Sequence, residues 1–448
     1  MRQSKLTTSL LAMDSLSVYR GLLEDNVLSK LRSLLIGLDK TDVQLRETIN
    51  LYNNFYFELA KSRSLSLTDY IIDKIIFDEN PFTLEIQTFA GSCTDEALFK
   101  AVTHDLNSLQ QLASLDSATL KAELSELFSK QRFQPIVQDL PDWSLNHQTL
   151  GCPNHIKILR EKFVMSNRWE ECLEELKKFH QQYGCGVFAR YFAFVWERVD
   201  GRGCLKGIDN PDPITLNDLV DYQDERSRVI DNTLQFLNGY SANNVLLYGD
   251  RGTGKSSTVK AILNEYHPQG LRMLEIPKAY LADFPLIIRQ LKNRAQKFVL
   301  FVDDLVFGDN EENYTSLKAV LEGGLESKTP NILIYATSNR RHLVKEYFGE
   351  RAGLQSGNHS EEVHARDSMQ EKLSLADRFG INVVFSSPDQ KQYLKIVAGI
   401  AARRNLTIDQ ERLQREALQW ALWYNGRSAR TARQFVDWIE GHEAMGGK

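Results

Sequence analysis

The order of apolar and polar positions changes character along the chain. From Leu6 to about Lys130 apolar residues recur at intervals of three and four, which predicts amphipathic helices. Leu28, Leu31, Leu34 and Leu35 share one such helix, and Ile71, Ile72, Ile75 and Ile76 another, whose N-cap is Ser64, Ser66 or Thr68. Pro135, Pro141 and Pro153 mark a looser region, and a further helix is expected from about Asn167 to Gln182. The aromatic run from Tyr191 to Trp196 reads as a strand or helix buried against a neighbour, more readily than as a ligand-stacking platform. Gly201 to Pro213 looks like a linker. Beyond it strands and helices alternate. Strands are expected at Val245–Leu247, Leu274–Ile276, Phe298–Val302, Ile332–Ala336 and Ile381–Phe385. Helices are expected up to Leu237 and at Phe284–Gln296 and Tyr314–Leu325, with a polar insertion at Gly349–Met369. That alternation predicts a parallel sheet with helices on both faces. Ser387 as N-cap, Pro388 and Gln390 then open a wholly helical tail.

The first strand runs into Gly249-Asp250-Arg251-Gly252-Thr253-Gly254-Lys255-Ser256-Ser257, which meets the G-x-x-x-x-G-K-[ST] spacing of a phosphate loop. Glycines let the backbone N–H groups turn inward around a polyphosphate, which a Cβ would obstruct. Lys255 is placed to reach the β- and γ-phosphates and Ser256 to bind Mg²⁺ at the start of a helix. The strand Phe298–Val302 ends in Asp303 and Asp304. A parallel strand delivers its C-terminal residues to the ligand edge of the sheet. Asp303 would therefore share the Mg²⁺, and Asp304 would polarise an attacking water. Asn339, ending the next strand after Thr337 and Ser338, would orient that water or touch the γ-phosphate.

Composition narrows the class but not the partner. The chain has 448 residues and room for two or three domains, with 42% apolar and 25% charged residues. A net charge of −5 implies no global pull toward nucleic acid or membrane. The cysteines form no C-x-x-C pair, so a zinc knuckle or disulfide framework is not expected. No apolar run approaches the ~18 residues of a membrane span. Arg2 and Lys5 precede an apolar stretch too soon broken by Asp14 for a signal peptide, and a cytoplasmic location is expected.

The order of phosphate loop, acidic strand, Thr-Ser-Asn strand, Leu-Ala-Asp-Arg-Phe-Gly and helical tail resembles an AAA+ ATPase. The wording over roughly residues 210 to 440 resembles the bacterial AAA+ family catalogued as domain of unknown function 815. The resemblance implies an α/β fold with a five-stranded parallel sheet in the order 5-1-4-3-2 and a C-terminal helical lid. It implies a core at 214–386 and a lid at 387–448, after a linker at 201–213 and a mainly helical region at 1–200. It also implies ATP and Mg²⁺ as cofactors. Leu219, Val220 and Tyr222 would lie near the adenine, Asn339 would be the sensor-1 residue, and Arg378 would be an arginine finger given to a neighbouring subunit. In the lid, Arg427, Arg430 and Arg433 recur every three residues; Arg430 is the first choice for a phosphate contact and Arg427 the second. Such a chain is expected to be a homo-oligomeric remodeller, its N-terminal region engaging a protein or nucleic-acid partner. Asp303-Asp304 in place of Asp-Glu, and no recognisable pore loop, leave open an initiator- or loader-like switch with slow turnover. A small-molecule kinase fits the helical tail and Arg378 poorly.

Overall fold

The computed structural model describes residues 5–40, 42–87, 95–128, 134–144, 153–305, 311–322, 329–339, 376, 378–424 and 426–445. The expected insertion at Gly349–Met369 lies outside the described residues. The chain forms two compact units, Met1–Arg190 and Tyr191–Lys448.

The first unit is helical where it is described. Leu28, Leu31, Leu34 and Leu35 all face inward from the helix Asn26–Leu38. Ile71, Ile72, Ile75 and Ile76 do so from Leu67–Phe77, where Ser66 proves to be the N-cap and accepts the N–H of Asp69 at 3.1 Å. Polar anchors fix the turns between helices. The fully buried Asp105 carboxylate accepts the N–H groups of Ser17, Val18 and Tyr19 at 3.0, 2.7 and 2.9 Å, satisfying donors that the start of a short 3₁₀ helix would leave orphaned.

The second unit carries a seven-stranded sheet. Its strands are β1 (Ala193–Val199), β2 (Arg202–Gly207), β3 (Val245–Gly249), β4 (Leu271–Glu275), β5 (Lys297–Val302), β6 (Ile332–Ser338) and β7 (Ile381–Phe385), in the order β2-β1-β4-β5-β6-β3-β7. All neighbours are parallel except the β1–β2 hairpin. Among the described residues the α-helices of this unit are α1 (Gln223–Leu237), α2 (Lys255–Tyr266), α3 (Phe284–Leu291) and α4 (Glu311–Glu322), followed by the lid helices α5 (Gln390–Arg403), α6 (Gln410–Trp423) and α7 (Ala429–Ala444). Strands β3 to β7 have the expected 5-1-4-3-2 arrangement; β5 and β6 are almost wholly buried, as strands covered on both faces must be.

The hairpin corrects the sequence reading. Gly203 and Gly207, which read as signs of a linker, lie inside β2 under aromatic rings. A Cβ at Gly203 would stand 2.1 Å from the Trp196 ring, and one at Gly207 2.1 Å from that of Tyr191. These glycines permit close approach rather than flexibility. Trp196 is fully buried, and its indole N–H donates to Asp283 at 2.8 Å, which also pairs with Arg198. The start of α5 also differs: Asp389, not Ser387, is the N-cap, in a capping box with Gln392. The Ser387 N–H instead donates to Asp250. α3 ends at Leu291, short of the expected Gln296. There the buried Asn331 amide collects the carbonyls of Leu291 and Arg294 and turns the chain back toward β5.

Candidate nucleotide site

The phosphate loop lies where β3 meets α2, and its glycines have conformations that other residues resist. Gly249, Gly252 and Gly254 have φ of 130°, 76° and 98°. Gly249 also abuts β7: an added Cβ would fall 2.2 Å from the Phe385 carbonyl oxygen. Asp250 ties the loop to the exit of β7, its N–H donating to Phe385 O at 3.0 Å and its carboxylate accepting from Ser387 at 2.8 Å. Hydrogen bonding from the Ser387 side chain, and then from its N–H, holds the Asp250 carboxyl below the usual carboxylate range. Thr253 donates to Asp250 O at 2.9 Å.

Lys255 is 6% exposed, and its ammonium donates to the carbonyls of Gly249 and Asp250 at 2.9 and 2.6 Å and to Asn339 Oδ1 at 3.2 Å. Burial pushes its pKa down to about 8, against the pull of Asp250, Asp303 and Asp304. The Ser256 hydroxyl donates to Asp303 Oδ1 at 2.6 Å, and the Thr337 hydroxyl to the same oxygen at 2.5 Å. Thr337 in turn accepts the Asp304 N–H at 2.8 Å. Asp304 is left-handed, with φ of 52°. One of its oxygens accepts from Asn339 Nδ2 at 2.6 Å and the other from Lys278 at 3.1 Å. Lys255, Ser256, Asp303, Asp304, Thr337 and Asn339 thus form one connected polar network at the C-terminal ends of β3, β5 and β6.

This network closes one end of a cavity of about 460 Å³. Ser257 also lines it. Leu219, Val220, Tyr222, Phe385, Ile396 and Ile400 form an apolar part of the wall, beside the polar side chains of Asp218 and Arg226. Tyr222, at φ 57°, donates its hydroxyl to Ser386 O at 2.6 Å, and Gly399 of α5 lets Val220 pack closely. The lid docks directly on the loop: the Arg430 N–H donates to Gly252 O at 3.0 Å. Arg430 and Arg433 line the cavity, but Arg427 does not. It precedes the N-cap Ser428, so the three-residue spacing does not continue along one helical face. Arg378 precedes β7 at the strand's N-terminal end, away from the cavity, while its neighbour Asp377 lies outside the described residues. Sequence reading had not singled out Thr337 or Lys278. A cation two positions beyond Ile276, where the second strand was expected to end, was the available signal for Lys278.

The oxygens of Ser256 and Asp303 suit Mg²⁺, a hard cation that takes one or two protein ligands beside substrate phosphates and water. Among the described residues no group of three or more His, Cys, Asp or Glu could hold a metal by itself.

A phosphate loop on the first core strand, two acids ending a strand two places away, a polar strand between them and a helical lid seated on the loop define an AAA+ ATPase-like protein. The family model described as "Protein of unknown function (DUF815)" matches residues 189–443, more than half of the chain, and the chain belongs to that family. A segment of 66 residues is 38% identical to the 26S proteasome regulatory subunit 4 homolog of Schizosaccharomyces pombe; it covers 14% of this chain and only 15% of that protein. Among solved structures, a point mutant of Thermotoga maritima RuvB aligns with 52% of this chain and 66% of its own, at 14% identity and a TM-score of 0.36. The Thermotoga maritima RuvB Holliday junction branch migration motor aligns with 52% and 72%, at 14% identity and a TM-score of 0.30. Among the described residues no helix is long and apolar enough to cross a membrane.

Proposed function

We propose that this protein binds ATP with Mg²⁺ and hydrolyses it as part of a homo-oligomer that remodels a partner. The observation that carries the reading is the polarity of the cavity. Lys255, Ser256 and Asp303 converge at one end, while Val220, Ile396 and Ile400 line an apolar wall, matching a ligand with a polyphosphate and a flat base. Lys255 would exchange its contacts with the loop carbonyls for the β- and γ-phosphates, with Ser257 at the helix start beside them. Ser256 and Asp303 would hold Mg²⁺, which supplies charge neutralisation between phosphates. Asp304 would polarise the attacking water. Its carboxylate is one methylene shorter than the glutamate of many relatives, and its left-handed backbone re-aims it from the strand end. Asn339 bridges Lys255 and Asp304 and so would couple the phosphate position to the base. Arg430 and Arg433 line the cavity, which favours a nucleotide role for them over a basic stripe facing nucleic acid. Arg378, remote from the cavity of its own subunit, would complete that of a neighbour.

The test is Asp304→Asn, which keeps the size and removes the negative charge. ATP should still bind while phosphate release slows at least a hundred-fold, in the range of general-base loss. Release at the wild-type rate would transfer the base role to another group.

A further inference from the structure

One buried side chain of the cavity has no part in the roles above. Arg226 stands in the first turn of α1, and its N–H donates to Tyr222 O at 3.0 Å. Its residue surface is 8% exposed, and it lines the cavity. Among the described residues the other buried Asp, Lys, Arg and His side chains have identified partners. Asp105 accepts backbone N–H groups, Asp283 holds Trp196 and Arg198, Lys255 and Arg272 donate to carbonyls, and His180 bonds Gly184. Among the described residues the Arg226 guanidinium has no hydrogen-bond or ion-pair partner. Its neighbour Asp221 is engaged by Lys395 at 2.9 Å. Burial and nearby Arg403 both disfavour its charge. The residue is mostly buried and meets water only through the cavity, a costly setting for a cation without a partner among the described residues, and one that a ligand in the cavity would complete.

The position of Arg226 says which part of the ligand that is. Arg226 stands in the first helical turn after Tyr222, to whose carbonyl its N–H donates, so it belongs to the part of the wall formed by Val220 and Tyr222 rather than to the phosphate loop. A guanidinium only donates, so its partner must be an acceptor. Asp218 lines the same cavity; its Oδ2 is held by the Thr215 N–H and hydroxyl, both at 2.7 Å, while Oδ1 has no hydrogen bond among the described residues. One donor fork and one open acceptor match a base that presents ring nitrogens beside an exocyclic amino group. We propose that Arg226 is the base-recognition residue, donating to a ring nitrogen of the adenine, with Asp218 accepting from the amino group. This rests on the nucleotide reading above.

The test compares ATP with inorganic tripolyphosphate, by calorimetric titration of the full-length protein, the Arg226→Met variant and the Arg226→Lys variant. Tripolyphosphate lacks the base, so its affinity should be the same in all three. ATP affinity should fall roughly 10- to 100-fold in Arg226→Met, the loss expected for one charge-assisted hydrogen-bonded contact. The ligand-free Arg226→Met protein should melt no lower than wild type, because an uncompensated charge has been removed. Arg226→Lys keeps the charge and loses the fork, and should also weaken ATP selectively, which keeps the test decisive if the Met variant fails to fold. Unchanged ATP affinity in the variants would overturn the proposal, as would an equal loss for tripolyphosphate, which would place Arg226 on the phosphates. A wild-type protein that binds neither ligand would overturn the nucleotide reading itself.

Discussion

Gly252→Ala tests the docking of the lid on the phosphate loop. Gly252 has φ of 76°, where a Cβ costs about 1–2 kcal/mol. The added carbon would also lie 2.9 Å from Ser428 Oγ, 3.1 Å from Arg430 Cβ and 3.2 Å from Ser428 Cβ. Ser428 is the N-cap of α7 and accepts the Thr431 N–H at 3.0 Å. If Ser428 moves aside, the lid helix loses a cap worth about 1 kcal/mol. The backbone cost falls on the loop whether or not the lid is docked, so the cap, about 1 kcal/mol, sets the shift between docked and undocked lid at roughly fivefold. Because Arg430 reaches the cavity only when docked, ATP affinity should fall by about that factor. Gly239→Ala supplies the control: φ is 82°, but no atom lies within 4 Å of the added Cβ. That variant should lose stability through the backbone alone and bind ATP normally. The assays are thermal melting and fluorescent-nucleotide titration. Gly252→Ala binding ATP within twofold of wild type, at an unchanged melting temperature, would refute the docked geometry.

Hydrolysis should require neighbouring subunits. Specific activity should rise with protein concentration, and Arg378→Ala should abolish turnover while sparing ATP binding, since an arginine finger contributes about 10³–10⁵ in rate. Mixing Arg378→Ala with Asp304→Asn should restore activity at mixed interfaces; stable mixed oligomers without activity would remove Arg378 from the neighbour's site. In the helical unit, burial lowers the pKa of His180 to about 4, and its Nδ1–H donates to Gly184 O at 3.0 Å while Nε2 is buried without a partner. The unfolded chain, with a histidine pKa near ~6.5, takes up the proton first as pH falls. The stability is therefore fully present above about pH 6.5 and is lost toward pH 4, on the order of 3 kcal/mol. His180→Gln should flatten that part of the profile in denaturant titrations at pH 7 and pH 4; an unchanged profile would mean that the ring is not buried neutral.

The core strands and the network were legible in sequence because their chemistry is local. A glycine turn after an apolar run, and acids ending another, mark the ligand edge of a sheet wherever the strands lie. The hairpin was not legible, because Gly203 and Gly207 have the composition of a linker and only the rings of Trp196 and Tyr191 above them reveal the reason. The Ser387 signal failed for a similar cause: Asp250, far away in sequence, engages Ser387, and Asp389 caps α5. Thr337, Lys278 and Arg226 are ordinary in sequence. What distinguishes them is the neighbour each meets, or in Arg226's case the lack of a partner among the described residues, and such contacts depend on tertiary structure.

The most direct measurement of the central claim is titration of wild type and Lys255→Ala with fluorescent ATP in the presence of Mg²⁺. The Lys255 ammonium is seated inside the loop, on the Gly249 and Asp250 carbonyls at 2.9 and 2.6 Å. Its loss should remove a charge-assisted contact worth about 1.5–3 kcal/mol, a fall in affinity of roughly ten- to a hundred-fold. Equal affinity in the two proteins, with Lys255→Ala folded as judged by its melting temperature, would contradict the assignment of this cavity to ATP.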